Sequence, residues 1–406
     1  MNFFDNLIHV DVKKNMCIAG LSDELFCVYL YKLFEEKNKS ILLVVNSLYE
    51  ANTLFSTLNN YTDKVRLFPM DDFLTSEALA ISPDLKINRL NTLNDLIYGE
   101  RCIVITNLIG YLRFLPSKKT YEDFVLNLCV GEEISPKFFV EKLIKSNYSR
   151  TTLVTRTGEI GVRGFVIDVF PINEEYPVRI EFFGDEIDSI RYFDVNTQKT
   201  IKKINKISIN PFSEFLTYND VIEEHFGKQK YLPTYEDVVS ISEYFNSGYV
   251  FYKDYEQLKT SYLHMLDEIN TYNNERDVKF KGNYMFSLDD IKVSYPVYYM
   301  SINNITNSDL DVLKYDVKTI NNFAEDIDRI NSFIRENIAS GKTVLICLKK
   351  YQLKSISKKL NMNYVEATLD NIALNTVNLI EKEFNHGYIF NDFVLLTANE
   401  LFINKH

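Results

Sequence analysis

The sequence predicts an α/β protein built on a parallel sheet flanked by helices, with an inserted antiparallel β-rich domain and a small α/β domain at the C-terminal end. Three observations predict it. Apolar strand-like runs alternate with helix-period patterns over the first 120 residues. Short strand-like runs separated by turn residues replace that rhythm from about residue 150, and the α/β alternation returns after Asn321. A chain of 406 residues exceeds one ordinary core, since domains hold about 150 residues as a soft prior. With 46% hydrophobic and 25% charged residues, its composition is that of a globular protein.

In order along the chain, MCIAG at 16–20 reads as a buried strand, followed by a helix over about 24–37, the strand ILLVV at 41–45 and a helix over about 48–60. VRLF at 65–68, a helix over 83–99 opened by Pro83, and CIVIT at 102–106 complete this series. Near-continuous apolar strands are what a parallel sheet covered on both faces requires, and residues 1–120 are assigned to it. From residue 150, TTLVTRTG, VRGFVIDVFP, YPVRIEFFGDE and IDSIRYFD predict antiparallel strands, with Gly184 and Asp185 as a two-residue hairpin turn. This inserted β-domain is placed at 121–210. Residues 211–320 carry helical patterns near 216–226 and 255–271 and an extended YPVYYM at 295–300. In 321–406, FAEDIDRINSFIRENI predicts an amphipathic helix, VLICL at 344–348 a strand, 350–360 a basic helix, and FVLLT at 393–397 another strand.

The net charge of −11 argues against a surface that wraps duplex nucleic acid, which needs clustered Lys and Arg. No apolar run approaches the roughly 18–20 residues of a membrane span, and MNFFDNLIHVDVKKN lacks the pattern of a signal peptide, so a cytoplasmic location is expected. Cys17, Cys27, Cys102, Cys129 and Cys347 are odd in number and mostly sit in apolar runs, which predicts buried thiols. His9, His225, His264, His386 and His406 are too dispersed for a zinc site. Neither a metal nor a cofactor is expected.

Two segments invite a nucleotide-binding reading. Ser340-Gly341-Lys342-Thr343 matches the end of a phosphate-binding loop, but Glu336 stands where its first glycine belongs, and the tetrapeptide follows a helix instead of a strand. An ordinary helix-to-strand turn ended by Gly341 accounts for it. The loop after the first strand reads Gly20-Leu21-Ser22-Asp23-Glu24-Leu25-Phe26-Cys27. Leu25, Phe26 and Cys27 occupy the positions that need Gly, Lys and Ser or Thr, and Asp23 and Glu24 would oppose a polyphosphate. The ATP site therefore reads as degenerate, and no catalysis is expected from this chain.

Asp185, Glu186 and Asp188 read as a solvated turn, and Lys349, Lys350, Lys354, Lys358 and Lys359 as one solvated helix face. More informative is the run Val178-Arg179-Ile180-Glu181-Phe182-Phe183. Its period of two puts Val178, Ile180 and Phe182 on one face and Arg179, Glu181 and Phe183 on the other. A charged pair beside a large aromatic on the outward face is the composition of an interface hot spot. The competing reading has Phe183 packed on a neighbouring element.

The block GEIGVRGFVIDVFPINEEYPVRIEFFGDEIDSIRYFDVNTQKT, residues 158–200, resembles the signature shared by UvrB and the transcription-repair coupling factors of bacterial nucleotide-excision repair. LFPMDDF at 67–73, ISPDLKINRLNTLNDL at 81–96, LCVGEEIS at 128–135 and FNHGYIFNDFVLLTANELF at 384–402 are similar to the coupling factors in the same order. UvrB has a working Walker loop and a long aromatic-rich hairpin, and neither occurs here. Where UvrB carries its DExx box, Phe251-Tyr252-Lys253-Asp254-Tyr255-Glu256 lacks the adjacent acidic pair.

The resemblance implies a degenerate helicase-like domain in two stretches, 1–120 and 211–320, around a UvrA-binding β-domain at 121–210, with an α/β domain of unclear role at 321–406. It carries the UvrA-contacting positions onto Arg163, Arg179 and Phe183. Alternation from Phe165 and Ile167 would put Arg163 on their face, and a bulge at Gly164 is invoked to re-aim it. The function implied is a monomeric, non-catalytic module that recruits UvrA to stalled RNA polymerase and has no membrane contact. RNA polymerase and DNA would be reached only through family domains beyond residue 406. The alternatives are an ATP-dependent, UvrB-type damage-verification protein and a self-contained DNA-binding protein.

Overall fold

Seven parallel strands form the largest sheet of the computed structural model, which describes residues 1–12, 16–78, 82–301 and 310–403. Across the sheet they run Asp311–Lys314, Met16–Ala19, Val297–Ser301, Gly248–Lys253, Ser40–Val45, Ile103–Asn107 and Val65–Phe68. Strands from before residue 108 and after residue 247 thus share one sheet, with Met16–Ala19 set between two of the later strands, and the chain between them leaves it and returns. Every residue of the central Ser40–Val45 and Gly248–Lys253 strands is buried, as their largely apolar runs require.

The helix Asp23–Lys37 begins at Ser22, whose hydroxyl accepts the Leu25 N–H, and ends at Asn38 in the left-handed region at φ 51°. Most of its surface is apolar and buried, because it is covered by more than its own sheet. One continuous core joins its Phe26, Leu30 and Phe34 to Cys347, Phe384 and Tyr388 of the C-terminal unit. That unit has a five-stranded sheet in the order Tyr364–Ala367, Val377–Glu381, Thr343–Leu348, Phe393–Leu396 and Tyr388–Phe390. Only its last pair is antiparallel. Ser340 to Thr343 is the turn that leads from the helix Ile327–Ala339 into this sheet, with Gly341 at φ +87°.

A six-stranded sheet lies between residues 149 and 204, in the order Thr200–Ile204, Glu186–Phe193, Val178–Phe183, Val166–Val169, Glu159–Arg163 and Ser149–Arg150. All its pairings are antiparallel except the last. Its inner face, including Ile167, Val178, Ile180 and Phe182, packs on Phe139, Val140 and Leu143 of the helix Pro136–Lys145. The expected mixed α/β architecture, with a parallel sheet and a mainly antiparallel one, is what the chain adopts.

Several local expectations fail for identifiable reasons. VRGFVIDVFP is two strands, because Gly164 at φ +59° turns the chain between Arg163 and Val166. TTLVTRTG is a loop in which the Glu159 carboxylate accepts the N–H groups of Thr155 and Arg156. Residues 216–226 form no α-helix. There the Thr217 hydroxyl and the Glu236 carboxylate take the N–H groups of Asn219 and Tyr218, which a helix would need. The helix predicted from Phe323 starts at Ile327, since Ala324 and Glu325 have positive φ and Asp326 caps it. Cys129 is exposed, whereas the other four thiols are buried. His406, and Ile81 at the head of the 81–96 block, lie outside the described residues. No helix among the described residues is long and apolar enough to cross a membrane.

Candidate functional site

On the outer face of the six-stranded sheet, strand register sets Asp168 opposite Arg179 on one side and opposite Gly161 on the other. The Asp168 carboxylate is almost fully buried. It accepts Arg179 Nε at 2.7 Å and Nη2 at 2.8 Å, and Arg163 Nη2 at 2.6 Å. Arg179 also donates to Gln198 Oε1 at 3.0 Å and lies 4.4 Å over the Phe193 ring. Two-pronged pairing and ring stacking suit a guanidinium better than an ammonium. Arg179 is held on every side, with 15% of its side chain exposed, whereas Arg163 is 53% exposed.

Arg163 therefore shares a face with Arg179, but by a different route from the bulge expected at Gly164. Gly164 and Phe165 form a two-residue loop, so Arg163 pairs with Val166 and the alternation restarts after the turn. The strand Val178–Phe183 does alternate as read, with Val178, Ile180 and Phe182 buried. Phe183, its last residue, is 82% exposed beside the turn at Gly184. Glu181 accepts from Arg191 Nη2 at 2.5 Å and from Ser189, and the Arg191 bond holds its carboxyl down at about 2.

Two residues of this face escaped the sequence reading. Phe165 is exposed, and its carbonyl accepts the Phe182 N–H at 2.9 Å, so both aromatic tips emerge from neighbouring turns at one end of the sheet. The Gly-Phe pair between two alternating runs was the available signal. Asp168 had no such signal, because only register shows that one carboxylate serves arginines from the strands on either side.

The loop after the first strand is built differently from a phosphate cradle. Gly20, at φ +88°, donates its N–H to Ser301 O, and a Cβ there would lie 2.2 Å from the Tyr315 carbonyl oxygen. Glu24 Oε1 accepts the backbone N–H groups of Asn385 and His386 at 2.7 and 3.3 Å, so the C-terminal unit sits on the first turn of this helix. Burial drives the Glu24 carboxyl up to about 7 against those two bonds, assisted by the charges of Asp23 and Glu400. Nearby, the buried Lys253 ammonium is held by Glu50, by Asp23 at 3.3 Å and by Asp254 at 3.6 Å.

The outer face thus presents the half-exposed Arg163 and the exposed rings of Phe165 and Phe183 around a buried Asp168. Residues 126–215 match the UvrB interaction domain family. The chain is 34% identical over 223 residues to the transcription-repair-coupling factor of Staphylococcus aureus (strain bovine RF122 / ET3-1), covering 54% of this chain and 19% of that protein. Its identity to the corresponding protein of Bacillus subtilis (strain 168) is 33% over 213 residues, 52% of this chain and 18% of the relative. The resemblance read from residues 158–200 is borne out: that block falls within the match to the UvrB interaction domain, and the chain is similar over half its length to transcription-repair-coupling factors. These matches span about a fifth of the length of the curated relatives.

Proposed function

We propose that this chain is the UvrA-docking module of a transcription-repair coupling factor, acting in transcription-coupled nucleotide-excision repair without breaking or forming a covalent bond. The observation that carries this reading is the exposed Phe183 ring on the same sheet face as a half-exposed Arg163 that Asp168 already orients. A large aromatic and a guanidinium fixed before contact lose little conformational freedom on binding, which is the composition and the preorganisation of a hot spot. Arg179 acts mainly as the strut that keeps Asp168, and through it Arg163, in place. Phe165 extends the apolar tip.

The seven-stranded parallel sheet with its filled first loop fits a helicase-like domain that has given up nucleotide binding. That feature disfavours a UvrB-type ATP-dependent verification protein. UvrA retained on immobilised chain, and lost from a Phe183→Ala variant with an unchanged melting curve, is the expected result. Equal retention by both would refute the reading.

A further inference from the structure

Glu214 is buried and accepts from two arginines: Arg89 Nε at 2.6 Å and Nη2 at 3.3 Å, and Arg113 Nε at 3.0 Å and Nη2 at 3.3 Å. One carboxylate against two guanidiniums leaves a buried excess positive charge, an arrangement that is costly unless something else neutralises it. Lys86 feels the same field. Burial, opposed by Glu214 and reinforced by Arg89 and Arg113, lowers its ammonium to about 8.

Arg113 is the member of this triad that reaches a cavity of about 230 Å³ between the short helix Phe73–Ala78, the 3-10 segment Gln229–Thr234 and the end of the helix Tyr255–Asn274. Lys228, Lys230 and Arg276 also line it, against a single lining carboxylate, Glu77, which Lys230 already engages at 2.7 Å. In a chain of net charge −11 this is a local reversal of sign, concentrated in a concavity where field lines focus. The opposite wall is aromatic: Phe73 meets Tyr284 edge-on at 4.9 Å and Tyr272 at 5.5 Å between ring centroids.

We propose that this cavity binds a nucleoside monophosphate, with the phosphate near Arg113 and Arg276 and the base against Tyr272 and Tyr284, which the buried Phe73 backs. Arg113 keeps Nε and Nη2 on Glu214 and contributes its charge, while Arg276 and Lys230 lie 5.0 and 4.9 Å from the Tyr272 and Tyr284 ring centroids, so charge-assisted bonds to the phosphate and aromatic contact with the base fall side by side. A bare inorganic anion would leave the aromatic wall unused.

Calorimetric titration of the whole chain with AMP, adenosine and inorganic phosphate tests this. AMP is expected to bind saturably with a Kd below about 1 mM, and adenosine and phosphate each at least about tenfold more weakly. Arg276 and Lys228 are exposed, so Arg276→Ala and the Arg276→Ala, Lys228→Ala double variant should keep the melting curve while weakening AMP binding about tenfold or more. The proposal is overturned by the absence of saturable AMP binding, by phosphate binding as tightly as AMP, or by AMP affinity unchanged in the double variant.

Discussion

Arg163 and Arg179 grip one carboxylate, that of Asp168, from the strands on either side of it. The exposed arginine of the docking face is therefore positioned by a buried acid and a mostly buried partner, and the three side chains behave as a unit.

Asp168→Asn should be the most damaging single change on this face. It leaves two guanidiniums without their shared anion, and breaking a buried pair typically costs about 3–5 kcal/mol. Urea denaturation should show a loss of that order, and UvrA affinity should fall although Asp168 is too deeply buried to touch a partner. A stability within about 0.5 kcal/mol of wild type would refute the clamp.

The two arginines should separate by readout. Arg179→Ala removes a bidentate bond and a ring contact and should lower stability by about 1–3 kcal/mol. Arg163→Ala removes a half-exposed pair and should cost at most about 1 kcal/mol in stability while still weakening UvrA binding. Denaturation and binding measured on both variants decide it. The reverse ranking in stability would be inconsistent with the observed burial.

Glu24 gives a pH dependence with a definite sign. Its carboxyl is raised from 4.5 to about 7, so the folded chain holds this proton more tightly than the unfolded one. Its contribution is complete below about pH 4.5 and is lost as pH climbs through 7, on the order of 3 kcal/mol in all. Glu24→Gln keeps an acceptor for the Asn385 and His386 N–H groups and carries no charge, so it should be more stable than wild type at about pH 8 and nearly equal at about pH 5. Equal stabilities at both pH values would remove Glu24 from the contact between the two units.

The loop after the first strand should support no ATP turnover. With Tyr315 O against Gly20 and the C-terminal unit on Glu24, a coupled-enzyme assay of the purified chain should give background phosphate release, with or without DNA. Hydrolysis that follows the protein through purification would restore the enzymatic alternative.

Periodicity made the parallel strands and the Val178–Phe183 alternation legible, because burial on both faces or on one leaves an apolar run or a period of two. Phe183 followed directly from that period. Arg163 did not, since a two-residue turn resets the alternation without changing the composition around it. Asp168 was beyond reach, because its two partners come together only through the register of three strands. The 216–226 segment misled for the opposite reason: its residues suit a helix, but local side chains take the N–H groups a helix would use.

Calorimetric titration of this chain with UvrA, comparing wild type, Phe183→Ala and Phe138→Ala, is the most direct test. Phe138 is a half-exposed ring on the helix beneath the opposite face of the sheet, and its loss controls for unspecific apolar contact. Phe183→Ala should weaken UvrA binding by at least about 2 kcal/mol while Phe138→Ala stays within about 0.5 kcal/mol of wild type. Equal affinity for wild type and Phe183→Ala, or equal losses in both variants, would contradict docking through this face.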